Sequence, residues 1–409
     1  MWHSEDVRAI FFLLVTSTLP ALAAEADALA ISARIQARAL PFGSILSPVF
    51  KDAASTETTG YSRCGDSAIW TGHYIAAEAY SYAVTKSPVA LDNLRRAIDG
   101  VKLLFDVTGT DTLARCAFPS DSPFAAGIAS EESKNGVFSA TLNGTKWTWI
   151  GHTSRDQYIG VFFGLTVVWN VVDDPGVLEQ VRGIVPRAVD RLTSKSWSIV
   201  LPDGVSTTFL GFVHQQLMIA KLARRVDPGR YNSLYDDLAG GAIEMLIPIL
   251  IDTRDDNSSY FKFNLDYAVF YGLLAQGFTG SHVSDIARRA YDSVRGTTET
   301  HGNAHFNMID NAVRGQDDKR DGETQVLLQS WLRRPLRDDY VDLRGKYPAC
   351  GPADKACQPI PVAERVRTDF LWQRSPYLLY GGGTGVIEGP GIDYILPYWM
   401  GRFFRANVD

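Results

Sequence analysis

Between Trp147 and Leu165 the sequence places four groups that exchange protons or hold charge within seven residues: His152, Arg155, Asp156 and Tyr158. Thr153 or Ser154, just before the last three, can cap a helix, because a hydroxyl there accepts a bond from an otherwise orphaned backbone N–H. The polar cluster therefore falls on a helix's first turn, anchored behind by Ile159, Phe162, Phe163 and Leu165. Gly160 and Gly164 leave one face of that helix free of bulk, so another helix or a ligand can come close. An ordinary cap beside a surface Arg-Asp pair would use the same residue types. The crowding of polar groups next to Trp147 and Trp149 favours a site.

Similar groups open other predicted helices. Asp66, Trp70 and His73 follow an i, i+4, i+7 course along one face, His214 lies near the start of another helix, and Asn264 and Asp266 begin a third. His301, Asn303 and His305 precede a fourth, and Glu388 stands in a Gly-Pro-Gly turn before the last helix, which carries Asp393. Taken singly, each has an ordinary explanation. His73 and His214 fit hydrogen-bonded core positions, Asp66 and Asp393 fit helix caps, and His301 with His305 fits a loop, a cap or a pair of metal ligands.

Taken together, aromatic rings and carboxylates at converging helix starts are what sugar rings require. The C–H faces stack on aromatic planes while the hydroxyls bond to carboxylates and amides. Trp70, His73, His214, Asp266, Asn303 and His305, with Arg155 and Tyr158, make up that candidate binding lining. Hydrolysis of a glycosidic bond needs a protonated acid at the leaving oxygen and a second carboxylate as nucleophile or as base for water. Asp66, Asp156 and Glu388 are the candidates for those roles, with His152 and Arg155 shaping their pKa values and Arg155 offering a fork for an acidic group on the sugar. Elimination would instead use Arg155, Asn303, His305 and Tyr158. A protein that only binds glycans needs the aromatic lining alone.

These residues must be positioned by helices. Apolar spacing predicts helical pairs at 66–84 with 89–106, 154–172 with 177–193, 207–226 with 231–251, 260–276 with 283–294, and 303–313 with 324–332. Two single helices, at 28–40 and 391–404, complete a sixth pair. A β-hairpin is expected at 137–150, where Asn143-Gly144 supplies the positive φ angles of a two-residue turn. Trp197 to Leu201 reads as a brief strand, and the Pro- and Gly-rich stretch from Pro335 to Gly391 as a long excursion over one face. Six pairs point to an all-α (α/α)6 toroid with a small β-hairpin insertion, with no linker composition dividing residues 24–409.

Composition narrows the setting. Residues 9–23 form an apolar run ending in Ala21, Leu22 and Ala23, the small-x-small form of a signal-peptidase site, which makes 1–23 the expected signal peptide. Removing it takes away Glu5, Asp6 and Arg8, so the formal charge of −6 becomes −5, which offers no track for nucleic acid. No later apolar run suits a membrane crossing, since Ala242 to Ile251 is interrupted by Glu244 and Pro248. Cys64, Cys116, Cys350 and Cys357 allow three pairings, of which Cys64–Cys116 and Cys350–Cys357 are favoured. No CxxC pair or helical His pair accompanies them, so neither a metal nor a cofactor is expected, and the protein reads as periplasmic or secreted.

The chain resembles the six-hairpin glycosidase-like superfamily of secreted (α/α)6 carbohydrate-active enzymes. The likeness rests on the helical count and on the runs GDSAIWTG at 65–72, TSRDQY at 153–158 and DYILPYW at 393–399. It implies an exported enzyme acting on a poly- or oligosaccharide, with a glycoside hydrolase ahead of a lyase.

Overall fold

Helices that must be buried on all sides differ in sequence from those that face water, and the chain alternates the two kinds. In the computed structural model, which describes residues 24–254, 259–275, 281–367, 370–406 and 408, they form fourteen α-helices joined by small antiparallel sheets. The predicted signal peptide, residues 1–23, lies outside the described residues.

The helices are α1 (Glu25–Arg38), α2 (Ser67–Thr85), α3 (Pro88–Asp106), α4 (Ala125–Glu131), α5 (Arg155–Val171), α6 (Pro175–Ser194), α7 (Val213–Val226) and α8 (Pro228–Gly240). They continue with α9 (Leu246–Arg254), α10 (Phe261–Leu274), α11 (His282–Thr298), α12 (Ala304–Arg314), α13 (Asp318–Leu332) and α14 (Ile392–Phe403). In α2 and α5 every residue from Ser67 to Ser81 and from Gln157 to Val168 is buried, the pattern of a helix enclosed by its neighbours. In α3, by contrast, Leu94, Ala97, Ile98, Val101 and Leu104 face inward while Asp92, Arg96 and Lys102 stay at the surface. Pairwise packing runs α2 to α3, α5 and α14; α5 to α7 and α10; α7 to α6, α8 and α10; α10 to α11 and α12; α12 to α13 and α14; and α14 to α1.

The starts of these helices are set by local chemistry. Ser154 is the N-cap of α5, its N–H donating to Gln157 Oε1 at 3.0 Å, while the neighbouring Thr153 hydroxyl donates to the Leu113 carbonyl at 2.6 Å. Asp174 caps α6 by accepting from the Val177 N–H at 2.9 Å, with Pro175 at the first helical position.

The closest helix crossing is that of α2 on α5. A methyl group added at Gly72 would run into the Gly160 carbonyl, and one at Gly164 into the Gly72 carbonyl. At Gly160 it would stand 2.6 Å from Ile69 Cα. The smooth face left by Gly160 and Gly164 thus receives a helix that carries its own glycine there.

Strands are short. β1 (Ser47–Phe50) pairs antiparallel with β2 (Thr58–Ser62), and β3 (Cys116–Pro119), β4 (Val137–Leu142) and β5 (Thr145–Ile150) form a sheet in the order β3-β5-β4. The expected hairpin is therefore two strands of a three-stranded sheet, turning at Asn143 and Gly144 with φ of 51° and 81°. β6 (Ser198–Val200) pairs with β7 (Ser206–Thr208), and β8 (Val341–Asp342) with β9 (Tyr380–Gly381). Both favoured disulfides are present: Cys64–Cys116 ties the turn before α2 to β3, and Cys350–Cys357 closes a loop in the long excursion.

Several helix boundaries differ from expectation, among them that of α13, which starts at Asp318 inside the charged run and not at 324, capped by Asp317 accepting from the Arg320 N–H. Residues 207–212 are strand and turn, because Thr207 and Thr208 pair in β7 and Gly211 takes a φ of +85°, so α7 starts at Val213. The helix expected over 231–251 is divided after Gly240, where Gly241 begins a single 3-10 turn that redirects the chain into α9. Described residues of α10 end at Leu274, and Gln276 lies outside them.

Away from the helix starts, α1 is tied to α2 through Glu78. Ser32 Oγ donates to its carboxyl and Asn93 Nδ2 donates at 3.4 Å. Burial raises the Glu78 pKa to about 7, against the ordinary 4.5.

Two predictions follow from this packing. Gly72→Ala should cost on the order of 3 kcal/mol by forcing the α2–α5 crossing apart, seen as a lowered denaturation midpoint, whereas Gly183→Ala on α6, where nothing lies within 4 Å, should not. Glu78 stays protonated in the fold up to about pH 7, while in the unfolded chain it ionises above 4.5. Its contribution is thus fully present below pH 4.5 and is lost as pH rises to 7, by up to about 3 kcal/mol. Comparing urea midpoints at pH 5 and pH 8, Glu78→Gln should flatten that part of the slope.

Candidate functional site

The first turns of α5, α7 and α10 approach one another, and with α9 they wall a cleft of about 440 Å3. Arg155 enters from the start of α5, Phe212 and Gln215 from that of α7, Lys262 and Asp266 from α10, and Asp252 from α9. Ile247, Pro248, Ile251 and Leu265 supply an apolar wall. The guanidinium of Arg155 lies 3.7 Å over the Phe212 ring and donates from Nη1 to the Thr208 carbonyl at 3.0 Å. Burial lowers its pKa, and the Asp156 charge acts in the opposite sense.

Polar atoms in this cleft are enclosed without partners. Arg155 Nε, Gln215 Oε1, Lys262 Nζ and Asp266 Oδ2 are all buried and accept or donate no hydrogen bond, as is Nδ1 of the adjacent His214. Buried polar atoms are nearly always satisfied, so four orphans lining one space, with a fifth beside it, single it out as the candidate site. The Asp266 carboxyl is held well above the usual range, first by burial and then by the Asp252 charge, with Lys262 opposing. It keeps its proton where an ordinary aspartate has lost it. Burial, followed by the Arg155 charge, lowers the His214 pKa to about 3, leaving a neutral ring.

A second, narrower cleft lies at the start of α14, lined by Arg63, Arg334, Arg367, Trp331, Phe370 and Asp393. An aromatic partition separates the two clefts. Trp70 of α2 touches Phe370 at a ring distance of 4.8 Å and Phe261, next to Lys262, at 5.6 Å. Asp393 accepts from the Leu371 N–H at 3.0 Å and lies 3.6 Å from Arg334 Nη1. Burial raises its pKa.

Beneath the partition sits a closed polar core. His73 Nδ1 donates to the Ile69 carbonyl at 2.9 Å, which leaves Nε2 to accept from Asn264 Nδ2 at 3.2 Å. Burial lowers the His73 pKa to about 4. His305 packs against His73 and, at 4.8 Å, against Trp372 of the long excursion. Both His305 nitrogens, Asn264 Oδ1 and Trp372 Nε1 are buried without partners.

The remaining predicted residues are distributed as follows. Asp66 and Asp156 come together around Arg115, whose Nη1 is 3.8 Å from Asp66 and whose Nη2 donates to Ser154 Oγ at 3.0 Å, with Ser154 Oγ donating in turn to Asp156. The Glu388 carboxylate faces Arg34, Arg38 and Arg337, at 3.8, 3.8 and 3.5 Å, rather than either aspartate. His152, at a φ of 44°, faces Asp203 at 2.7 Å through Nε2 and the Lys134 carbonyl at 3.1 Å through Nδ1. Tyr158 is enclosed in the core, its hydroxyl accepting from the Leu113 N–H at 3.0 Å. Asn303 caps α12 by accepting from the His305 and Phe306 N–H groups. His301 turns away from His305, packing on Tyr260 and Tyr377.

The cleft therefore unites Arg155 and Asp266 from the expected set, with His214 buried beside it, and adds Asp252, Lys262, Gln215 and Phe212, which sequence reasoning passed over. Lys262 stands two residues before Asn264, a signal that was available. Asp252 was hidden because residues 231–251 read as one helix whose far end would lie away from the site. No protein-family model matches the chain, and no curated protein or solved structure matches it either.

The buried carboxyl predicts a pH effect separate from any activity. An Asp in the unfolded chain ionises near 3.8, while Asp266 in the fold does not, so its contribution is present below that value and falls as pH rises. In melting curves from pH 4 to pH 8, Asp266→Asn should gain on the wild type as pH rises. A constant offset would mean that Asp266 is ionised in its cleft.

Proposed function

We propose that this protein is an exported carbohydrate-active enzyme that hydrolyses a glycosidic bond, and that its helices form an (α/α)6 toroid. Supporting the toroid, the contacts α2–α5, α5–α7, α7–α10, α10–α12, α12–α14 and α14–α2 return to their start, with α1, α3, α6, α8, α11 and α13 packed outside them. The two disulfides favour an oxidising compartment, and no helix among the described residues is long and apolar enough to cross a membrane.

The observation that carries the reaction is the pairing, in one cleft, of a carboxyl kept protonated by burial with a second carboxyl whose charge helps keep it so. Environments that push two carboxyl pKa values apart separate the acid from its partner. Asp266 would protonate the leaving oxygen, and Asp252 would act as nucleophile or as base for water. Arg155 and Lys262 carry the charge that orients an acidic or hydroxyl-rich ring, and Gln215 offers an amide oxygen to a hydroxyl. The apolar wall of Ile247, Pro248, Ile251 and Leu265 suits the C–H faces. Elimination is the weaker reading, because Tyr158 has its hydroxyl in the core and His305 sits beneath Trp70 and Trp372, away from Arg155.

The test is a panel of plant, algal and bacterial polysaccharides incubated with the mature protein, followed for new reducing ends and for the absorbance of unsaturated uronates. Hydrolysis gives the first without the second. Asp266→Asn and Asp252→Asn should each lower the rate by about 100-fold or more while binding persists. Both signals together would make the reaction an elimination, and binding without either would remove the enzyme reading.

A further inference from the structure

The chain around α9 is apolar on every side, yet only one side of it is covered. All six residues from Leu246 to Ile251 are apolar. Met245 and Ile249 point inward and are buried, where α9 and the 3-10 turn before it pack on α11. Ile243, Ile247, Leu250 and Ile251 stand on the outside, 47% to 63% exposed. A helix that is apolar all round is ordinarily enclosed. Leu210 adds a fifth exposed side chain just before Gly211 and Phe212, where the chain enters α7 beside the candidate cleft. Elsewhere among the described residues, large exposed apolar side chains stand singly or, like Leu29 and Val89, in a pair. Scattered ones are normal on any surface, whereas a contiguous group marks a place of contact.

This patch continues into the cleft. Ile247 and Ile251, one turn apart, belong both to the exposed face and to the cleft wall. Further in, the lining changes character, because Arg155 Nε, Gln215 Oε1, Lys262 Nζ and Asp266 Oδ2 are buried there without partners. Polar groups are thus inside and aliphatic ones at the mouth, the reverse of an ordinary surface. The mouth also lacks a free flat ring for a sugar to stack on, since the Phe212 face is covered by the Arg155 guanidinium at 3.7 Å. A hydroxyl-rich chain leaving the cleft over these isoleucines would lose water from its hydroxyls without gaining partners. An alkyl chain leaving by the same route would cover apolar area on both sides and gain from it.

We propose that the substrate of this cleft is an amphiphilic glycoside, whose sugar sits on the polar floor and whose leaving group is an aliphatic chain lying along Ile247, Leu250 and Ile251. It rests on the hydrolase reading for the sugar and for the bond that is cut. The bond between the anomeric carbon and the aglycone oxygen breaks, Asp266 gives its proton to that oxygen, and the aglycone departs as an alcohol. Water adds its hydroxyl to the anomeric carbon and returns a proton to the carboxyl pair. An aliphatic alkoxide is a poor leaving group, so this substrate needs the acid that burial provides in Asp266.

The experiment is calorimetric titration of the mature protein with methyl, hexyl and octyl β-glucosides and β-galactosides, all below their micelle concentrations. Affinity should rise about twofold to fourfold for each added CH2 group. Ile247→Ser and Ile251→Ser should each lower the octyl-to-methyl ratio by about tenfold, whereas Val326→Ser, equally exposed on α13, should leave it unchanged. Both substituted side chains are exposed, and two variants are used so that poor folding of one does not decide the matter. Affinities that do not rise with chain length, or a rise that survives both substitutions, would overturn the proposal. So would a dimer that Ile247→Ser dissociates in sedimentation, which would assign the face to a second copy. Binding to phosphatidylcholine vesicles free of glycoside, lost in the same variants, would overturn it in favour of a membrane surface. Chain-length preference without hydrolysis of any alkyl glycoside or polysaccharide would leave the apolar site standing and remove the enzyme reading. Hydrolysis of polysaccharides without chain-length preference would do the reverse.

Discussion

Backbone reaches backbone where α2 crosses α5, because Gly72 on one helix and Gly160 and Gly164 on the other carry nothing to hold them apart. Much of the molecule hangs on that approach. It brings the starts of the two helices together, so that Asp66 and Asp156 are linked through Arg115, beside the first, and Ser154, bonded to the second. It also turns His73, one residue after Gly72, toward Phe163, at a ring distance of 5.2 Å, and toward Asn264 of α10. With side chains at those glycines the helices would be forced apart, and the polar groups placed by their first turns would no longer converge in the same way.

Convergence of helix starts has an electrostatic consequence. Each start exposes backbone N–H groups and carries a partial positive charge. The starts of α5, α7 and α10 surround one cleft and that of α14 borders the other. Arginines add full charges to both. Burial works alongside this field. It keeps Asp266 protonated and His73, His214 and His305 neutral, whereas charged groups that are as deeply enclosed, such as Asp310, are paired with arginines.

Periodicity made α3 and α6 readable, because each buries a regular set of apolar residues and begins at a capping side chain followed by proline, while α2 and α5 stood out as long apolar stretches. Local turn chemistry was equally clear at Asn143 and Gly144. What failed were positions where a distant partner overrides local preference. Thr207 and Thr208 sit before a helical pattern and were read as part of it, but strand pairing with Ser198 and Ile199 claims them. Arg155, His214 and Asp266 were identifiable as polar residues at helix starts, yet nothing in their spacing says that they share a cleft. Glu388 shows the limit most plainly: its partners Arg34 and Arg38 lie some 350 residues earlier, and pairing across that separation leaves no trace in a local pattern.

The unsatisfied atoms argue in the same direction as the charges. Each buried donor or acceptor without a partner costs about 1 to 3 kcal/mol relative to a bonded one, comparable to a large share of a protein's net stability. Around Glu78, where α1 meets α2, the chain satisfies its buried carboxyl with Ser32 and Asn93. The same chain leaves Arg155, Gln215, Lys262 and Asp266 open around one cleft and Arg34, Arg337 and Arg367 open beside the other. Other open atoms lie in the closed core, at both His305 nitrogens, Asn264 Oδ1 and Trp372 Nε1, so it is the ones lining a cleft that a ligand can reach. Binding a polar, charged molecule there removes a penalty that the empty protein carries, so affinity and stability should rise together.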